Sequence, residues 1–189
     1  MPQLPEVPEV ITSERLELRA PRLEHVAALT NAVRASLPEL KPWMPWATDD
    51  YDRDGCEENV RRAMAVFVTK QDLRYHIFER RSGRLIGSTG LHAIRWEVPR
   101  CEIGYWLASS ETGKGYVTEA VRALTGVAFE RLGAKRVEIR LDDLNVASAA
   151  VAERCGFNLD GVLGNYTRGT DGSLRAERVY SLTSLDGLR

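Results

Sequence analysis

At 189 residues, with 43% hydrophobic and 28% charged residues, the chain fits one domain with a sizeable core. Its 26 basic and 27 acidic residues are interspersed and sum to −1, which leaves no electrostatic footprint for nucleic acid or a membrane surface. No apolar run approaches a membrane span. Cys56, Cys101 and Cys155 lie far apart and the three histidines are scattered, which argues against a disulfide framework and a metal site and points to a reducing, cytoplasmic compartment.

Residues 1–10 are expected to form a disordered lead-in, and residues 11–184 one domain. The lead-in is rich in proline and has neither the basic nor the apolar region of a signal peptide. From Ile11 to Arg19, Leu16 and Leu18 alternate with charged neighbours, as in a strand. Leu23, Val26, Ala27, Leu29 and Val33 then repeat at helical spacing. Pro38, Pro42 and Pro45 break that helix and place Trp43 and Trp46 in a connection. A second helix is predicted over Gly55–Thr69. Strands follow near Arg74–Arg80 and Leu85–Ala93, joined by Ser82-Gly83.

The second half is sharper. Cys101–Leu107 reads as a buried strand with Gly104 in its middle, which suggests a bulge or a close backbone approach. A glycine-rich turn, Thr112-Gly113-Lys114-Gly115, opens a helix striped by Val117, Ala120, Val121, Leu124, Ala128 and Leu132 and stopped at Gly133. Val137–Leu141 alternates as a half-buried strand. Asn145 is a good N-cap for a helix ending at Gly156, and two last strands near Phe157–Asn165 and Ala176–Leu182 flank an Asp171-Gly172 turn. Strands and helices alternate irregularly around one mixed sheet, an α/β (α+β) pattern.

A helix that opens on a glycine turn leaves backbone N–H groups without intrahelical partners, and a phosphate is their natural occupant. Two well-known glycine motifs do not fit. Ala108 stands where a Walker A loop needs its first glycine, and Thr118 where a dinucleotide-binding fingerprint needs its third. For Gly113 and Gly115 the plain alternative is an ordinary strand-to-helix turn. Lys114 reads as a solvated charge near phosphate, and Ser148, one turn into the helix opened by Asn145, as a helix-capping or backbone-bonding hydroxyl.

In combination, Glu102-Ile103-Gly104-Tyr105-Trp106-Leu107, the loop Thr112–Val117, Asn145-x-x-Ser148 and Glu153-Arg154-Cys155-Gly156-Phe157 resemble the acetyl-CoA signature of GNAT acetyltransferases. Ser13–Arg19 and Trp43-Met44-Pro45-Trp46 resemble the RimJ/RimL-type branch, which acetylates ribosomal-protein N-termini. The resemblance implies a mixed, mostly antiparallel sheet of six to seven strands with flanking helices. One strand pair splays at Gly104, and pantetheine inserts there like an extra strand. It implies acetyl-CoA as donor, contacted by Tyr105, Trp106, Leu107, Thr112, Gly113, Lys114, Gly115, Tyr116, Val117, Thr118, Asn145 and Ser148. Ser148 would donate a hydrogen bond to the departing sulfur, with Asn145 as its positioner. The chain departs from the family pattern in having Thr112 for Arg/Gln, Val117 for Gly/Ala, and Thr167 where a glutamate base would stand. The family's habit of dimerising makes a homodimer an expectation as well.

The attacking amine must be neutral. A free α-amine, with a pKa of about 7.7–8.0, is roughly one-seventh neutral at about pH 7, whereas a lysine amine is neutral about once in 2,500 molecules. An α-amine therefore needs little help from a base. Glu102, beside Gly104, is the expected carboxylate for that role, or else a strand-face charge paired with Arg100 or Arg140. Trp43, Trp46 and Trp106 are expected to wall the acceptor pocket. No Cys/His or Ser/His pairing suggests an acyl-enzyme, so direct attack is expected. The reading is an acetyl-CoA-dependent N-acetyltransferase acting on a protein or peptide N-terminus. A small-molecule amine acetyltransferase, a non-catalytic coenzyme A-binding module and a nucleotide-binding protein are the alternatives.

Overall fold

The alternation over Ile11–Arg19 folds as two strands, β1 (Val10–Thr12) and β2 (Leu16–Arg19). Ser13–Arg15 turns the chain back, so Ile11 pairs with Leu18 across an antiparallel ladder. The structure, a computed structural model, describes residues 4–189. Within it, β3 (Leu73–Glu79), β4 (Leu85–Arg95), β5 (Arg100–Leu107), β6 (Arg136–Asp142), β7 (Asn158–Arg168) and β8 (Leu174–Leu182) complete one eight-stranded sheet. Its order is β1-β2-β3-β4-β5-β6-β8-β7. The split at Ser13–Arg15 accounts for the strand beyond the six to seven expected.

All neighbouring strands are antiparallel except β5 and β6. A parallel pair needs a crossover, and α4 (Tyr116–Glu130) supplies it. The two strands pair only over Arg100–Glu102 and Arg136–Glu138, then diverge. From Ile103 onward the edge of β5 facing β6 has no ladder partner. Backbone donors and acceptors that a sheet would otherwise consume are thereby left for a ligand.

The helices cover the two faces unequally. Val121, Leu124 and Ala128 of α4 and Ala149, Val151 and Ala152 of α5 (Val146–Arg154) pack on Leu91, Ile103 and Ile139, burying most of the apolar surface. On the other face α1 (Val26–Arg34) and α3 (Arg53–Val68) meet through Val26, Leu29, Cys56 and Val60. The second helix starts at Arg53 rather than Gly55 because Asp52 caps it, its carboxylate accepting from the Gly55 N–H at 2.8 Å. The proline-broken connection holds a short helix, α2 (Leu37–Leu40), with Pro38 in its first turn, where a missing N–H costs nothing.

Of the lead-in expected to be disordered, residues 1–3 lie outside the described residues. From Leu4 on the segment makes contacts with the rest of the domain. Lys70 Nζ donates to the Pro5 carbonyl and the Tyr75 hydroxyl to the Pro8 carbonyl, each at 2.8 Å, and Val7 packs on the core.

Candidate active site

The fork between β5 and β6 opens a cleft of about 970 Å³, bounded by β5, the turn before α4, the start of α5 and the β7–β8 hairpin. At one end, Gly113 and Gly115 both take left-handed φ values, +76° and +80°. Gly115 is the N-cap of α4, and no side chain caps the helix. The free N–H groups of this fifteen-residue helix, its dipole and the two left-handed glycines make an anion-binding concavity. Thr112, Gly113, Gly115, Tyr116, Val117 and Thr118 all line the cleft.

Lys114 does not line it. Its ammonium turns back to the buried carboxylate of Glu111 at 2.9 Å, which Arg84 also holds at 3.1 Å, and both pairings pull the Glu111 carboxyl below its ordinary range. The positive side chains at the cradle are two that the sequence did not mark for it. Arg154 lines the cleft beside Thr118, and Arg15 lies over the Tyr116 ring with Nη2 3.5 Å from where a Gly115 Cβ would stand. Arg15 is fixed by Glu119, which accepts from its Nε and its backbone N–H at 2.7 Å each. The Thr112 hydroxyl is spent on the Ser109 carbonyl.

At the other end of the cleft Ser148 meets Tyr105. Asn145 caps α5, its side chain accepting from the Ser148 N–H at 3.1 Å, so capping and positioning are one contact. Ser148 Oγ lies 2.9 Å from the Tyr105 hydroxyl, which also lies 3.2 Å from the Ser148 carbonyl. Burial pushes the phenol up to about 12, against the pull of the Ser148 bond, so it keeps its proton at neutral pH. When Tyr105 donates to Ser148 Oγ, the serine proton is free to point into the cleft. A hydroxyl that is itself accepting a hydrogen bond is a better donor.

A second cavity of about 610 Å³ lies on the opposite face, between α1, α3 and strands β3 to β5. The two cavities share Met44, Gly104, Tyr105 and Trp106. Strand alternation produces this: Ile103, Tyr105 and Leu107 pack in the core under α4 and α5, while Gly104 and Trp106 point to the side of the second cavity. The tryptophans divide accordingly. Trp46, its ring centroid 6.0 Å from that of Trp106, lines the second cavity, Trp43 lines the first cleft, and Trp106 lines both. Thr170 on the β7–β8 turn donates to the Pro42 carbonyl, drawing the Trp43 connection across the cleft mouth.

Glu102 lines neither cavity. Burial raises its carboxyl pKa and Arg140 opposes the rise. Gly104 sits in unbroken register opposite Gly90, so no bulge occurs there; the β4–β5 register shifts only between His92 and Arg95. The close approach at Gly104 is made by the ring of His92, 3.0 Å from its Cβ position. His92 in turn contacts Asp72, Nδ1 to Oδ2, at 2.6 Å. Thr167 lines the first cleft, where the nearby carboxylate is Glu177, paired with Arg140.

With this geometry in view, the acetyltransferase (GNAT) domain family matches residues 15–158, and the chain belongs to that family. It is 29% identical over 160 residues to the uncharacterized N-acetyltransferase p20 of Bacillus licheniformis, covering 85% of this chain and 88% of that one. It is 28% identical over 151 residues to the ribosomal-protein-serine acetyltransferase of Escherichia coli K12, covering 80% and 83%. The fold superposes with a TM-score of 0.87 on RimL, a ribosomal L7/L12 alpha-N-protein acetyltransferase solved with coenzyme A. That match is 26% identical and covers 94% of this chain and 99% of that one. The protein is an acetyl-CoA-dependent N-acetyltransferase, and the β5–β6 cleft has the backbone cradle and unpaired strand edge that such a donor requires.

Proposed function

We infer that the protein acetylates the α-amine of a protein or peptide N-terminus by direct attack on acetyl-CoA, in the cytoplasm. The observation that carries this reading is the meeting of the two cavities at Gly104–Trp106, one shaped for the donor and one open on the opposite face for an acceptor. The likeness to RimL along nearly the whole of both chains supports the acceptor class. The second cavity combines aromatic walls at Trp46, Tyr51 and Trp106 with Asp50, Asp52, Arg62 and Arg74, a mixed polar lining with room for an amine and the chain behind it. Three buried free cysteines fit a reducing compartment, and among the described residues no helix is long and apolar enough to cross a membrane.

Acetyl-CoA supplies an activated acetyl group with a thiolate as leaving group. The residues of the chain divide the remaining work. The α4 N-terminus, Arg15 and Arg154 hold the pyrophosphate, and the free edge of β5 aligns pantetheine. Tyr105 and Ser148 bring a hydroxyl proton to the sulfur side of the strand. Trp46 and Trp106 orient the incoming amine from the other side.

Coenzyme A thiol release with short peptides bearing free or blocked N-termini, beside a panel of small amines, tests the acceptor class. Release with free N-termini and not with blocked ones is the expected result. Release with small amines alone would move the acceptor to metabolites or antibiotics.

A further inference from the structure

His92 lies outside the donor cleft, and three observations converge on it. The first is its seat. The ladder between β4 and β5 sets Gly90 opposite Gly104 and His92 opposite Glu102. The imidazole lies back over both glycines: a Cβ on Gly90 would stand 3.0 Å from its Cε1, and one on Gly104 3.0 and 3.1 Å from its Cδ2 and Nε2. Real Cβ contacts are seldom so short. At Gly104 the ring is the only close neighbour, whereas at Gly90 a Cβ would also meet the β3 backbone, Arg74 Cα and the Leu73 carbonyl, at 2.9 Å; a side chain at Gly104 would displace the ring.

The second is its partner. Nδ1 faces Asp72 Oδ2 at 2.6 Å, and the other oxygen of that carboxylate is buried without a hydrogen-bond partner. An ionised carboxylate only accepts, so in the neutral ring Nδ1 carries the hydrogen and Nε2 the lone pair. The third is its place. His92 and Gly104 both line the acceptor cavity, and Gly104 lines the donor cleft as well. Nε2 therefore stands beside the strand position where the two cavities meet, on the face opposite the Tyr105–Ser148 pair.

The geometry points to His92 as the general base of the transfer and to Asp72 as the residue that fixes its tautomer, a proposal that rests on the amine-acetylation reading above. An ammonium loses two protons on its way to an amide. Nε2 takes the first and later returns it to solvent, and the freed nitrogen lone pair forms the C–N bond as the C–S bond breaks. The second proton leaves nitrogen as the amide forms and replaces the one that Ser148 gives to sulfur. The products are the amide, the free thiol and one proton. Base and sulfur-side donor thus flank β5, so the amine arrives from one face and the thiol departs from the other. Glu102 lines neither cavity and does not reach the amine as Nε2 can.

The charged groups around the ring are Asp72, Arg74 on β3, Glu102 on β5 with Arg140 behind it, and Arg62 across the cavity on α3. His92→Ala is expected to lower kcat/KM for the preferred amine about 100-fold at about pH 7. The deficit shrinks to roughly 15-fold well above the α-amine's ordinary pKa of about 8, because the neutral fraction of the substrate rises only about sevenfold from its value at about pH 7. Added imidazole restores part of the rate, and acetyl-CoA affinity stays within about twofold of wild type because the ring lies outside the donor cleft. Asp72→Asn is expected to cost about tenfold at about pH 7 and to shift the His92 ¹⁵N resonances away from the pure Nδ1–H tautomer. Wild-type rates in His92→Ala, or a deficit that neither pH nor imidazole changes, would overturn this assignment while leaving the enzyme an acetyltransferase. Wild-type protein that transfers to no amine would overturn the acceptor reading and this assignment together.

Discussion

Gly115→Glu is expected to abolish acetyl-CoA binding in a protein that still folds. Gly115 is the N-cap of α4 at φ +80°, with open space around its Cβ position except for Arg15 at 3.5 Å. A side chain there meets the left-handed penalty of about 1–2 kcal/mol, which a domain stable by about 5–15 kcal/mol survives. The new carboxylate, however, stands in the concavity of free N–H groups and helix dipole proposed above for the pyrophosphate, and Arg15 is placed to hold it there. Bulk and like charge then oppose the ligand together. Titration calorimetry should show acetyl-CoA affinity reduced more than about 100-fold, because the variant replaces an attraction by a repulsion in the same place. Gly115→Ala, which adds strain without charge, should cost only severalfold. Near-wild-type affinity in a folded Gly115→Glu variant would show that the pyrophosphate lies elsewhere.

The second large effect belongs to the hydroxyl pair. Ser148→Ala and Tyr105→Phe are each expected to lower kcat about 100-fold, the scale of losing one donor to developing charge, with acetyl-CoA affinity changed by less than about threefold. The two losses should not add. If Tyr105 acts by donating to Ser148, removing either breaks the same relay, and the double variant should fall no further than the worse single one. Additive losses would assign the hydroxyls to separate tasks. Unchanged turnover in Ser148→Ala would leave it as the helix-capping residue that its bond to Asn145 already makes it.

Much of the fold was legible because its signals are local. Alternation marked the strands, glycine turns marked their ends, and Asn145 and Gly156 bracketed α5, the latter at φ +83°. The hairpin at Ser13–Arg15 was hidden because period-two alternation does not change when a short strand folds back on itself. Of the candidate site, the glycine turn that opens α4 and the Asn145–Ser148 contact could be read from motif order, since both are set by residues close in sequence. Long-range contacts could not be read. Lys114 looked available until the buried Glu111 took it, and Trp43 and Trp46 looked equivalent until the turn after α2 sent them to different cavities. Gly104 was noticed for its strand position, but its reason, the His92 ring, depends on register with Gly90. Glu102 was chosen for nearness in sequence, and alternation gave it the right face without a place in the cavity wall.

If the two cavities serve one reaction across Gly104–Trp106, a single ligand that spans both should gain from each. The most direct measurement is the affinity of a conjugate joining coenzyme A through an acetyl linker to the N-terminus of an accepted peptide. If both cavities are filled at once, the conjugate should bind about 100-fold or more tighter than coenzyme A alone, since the second contact becomes intramolecular. Affinity no better than that of coenzyme A would show that the acceptor approaches the thioester by some other route.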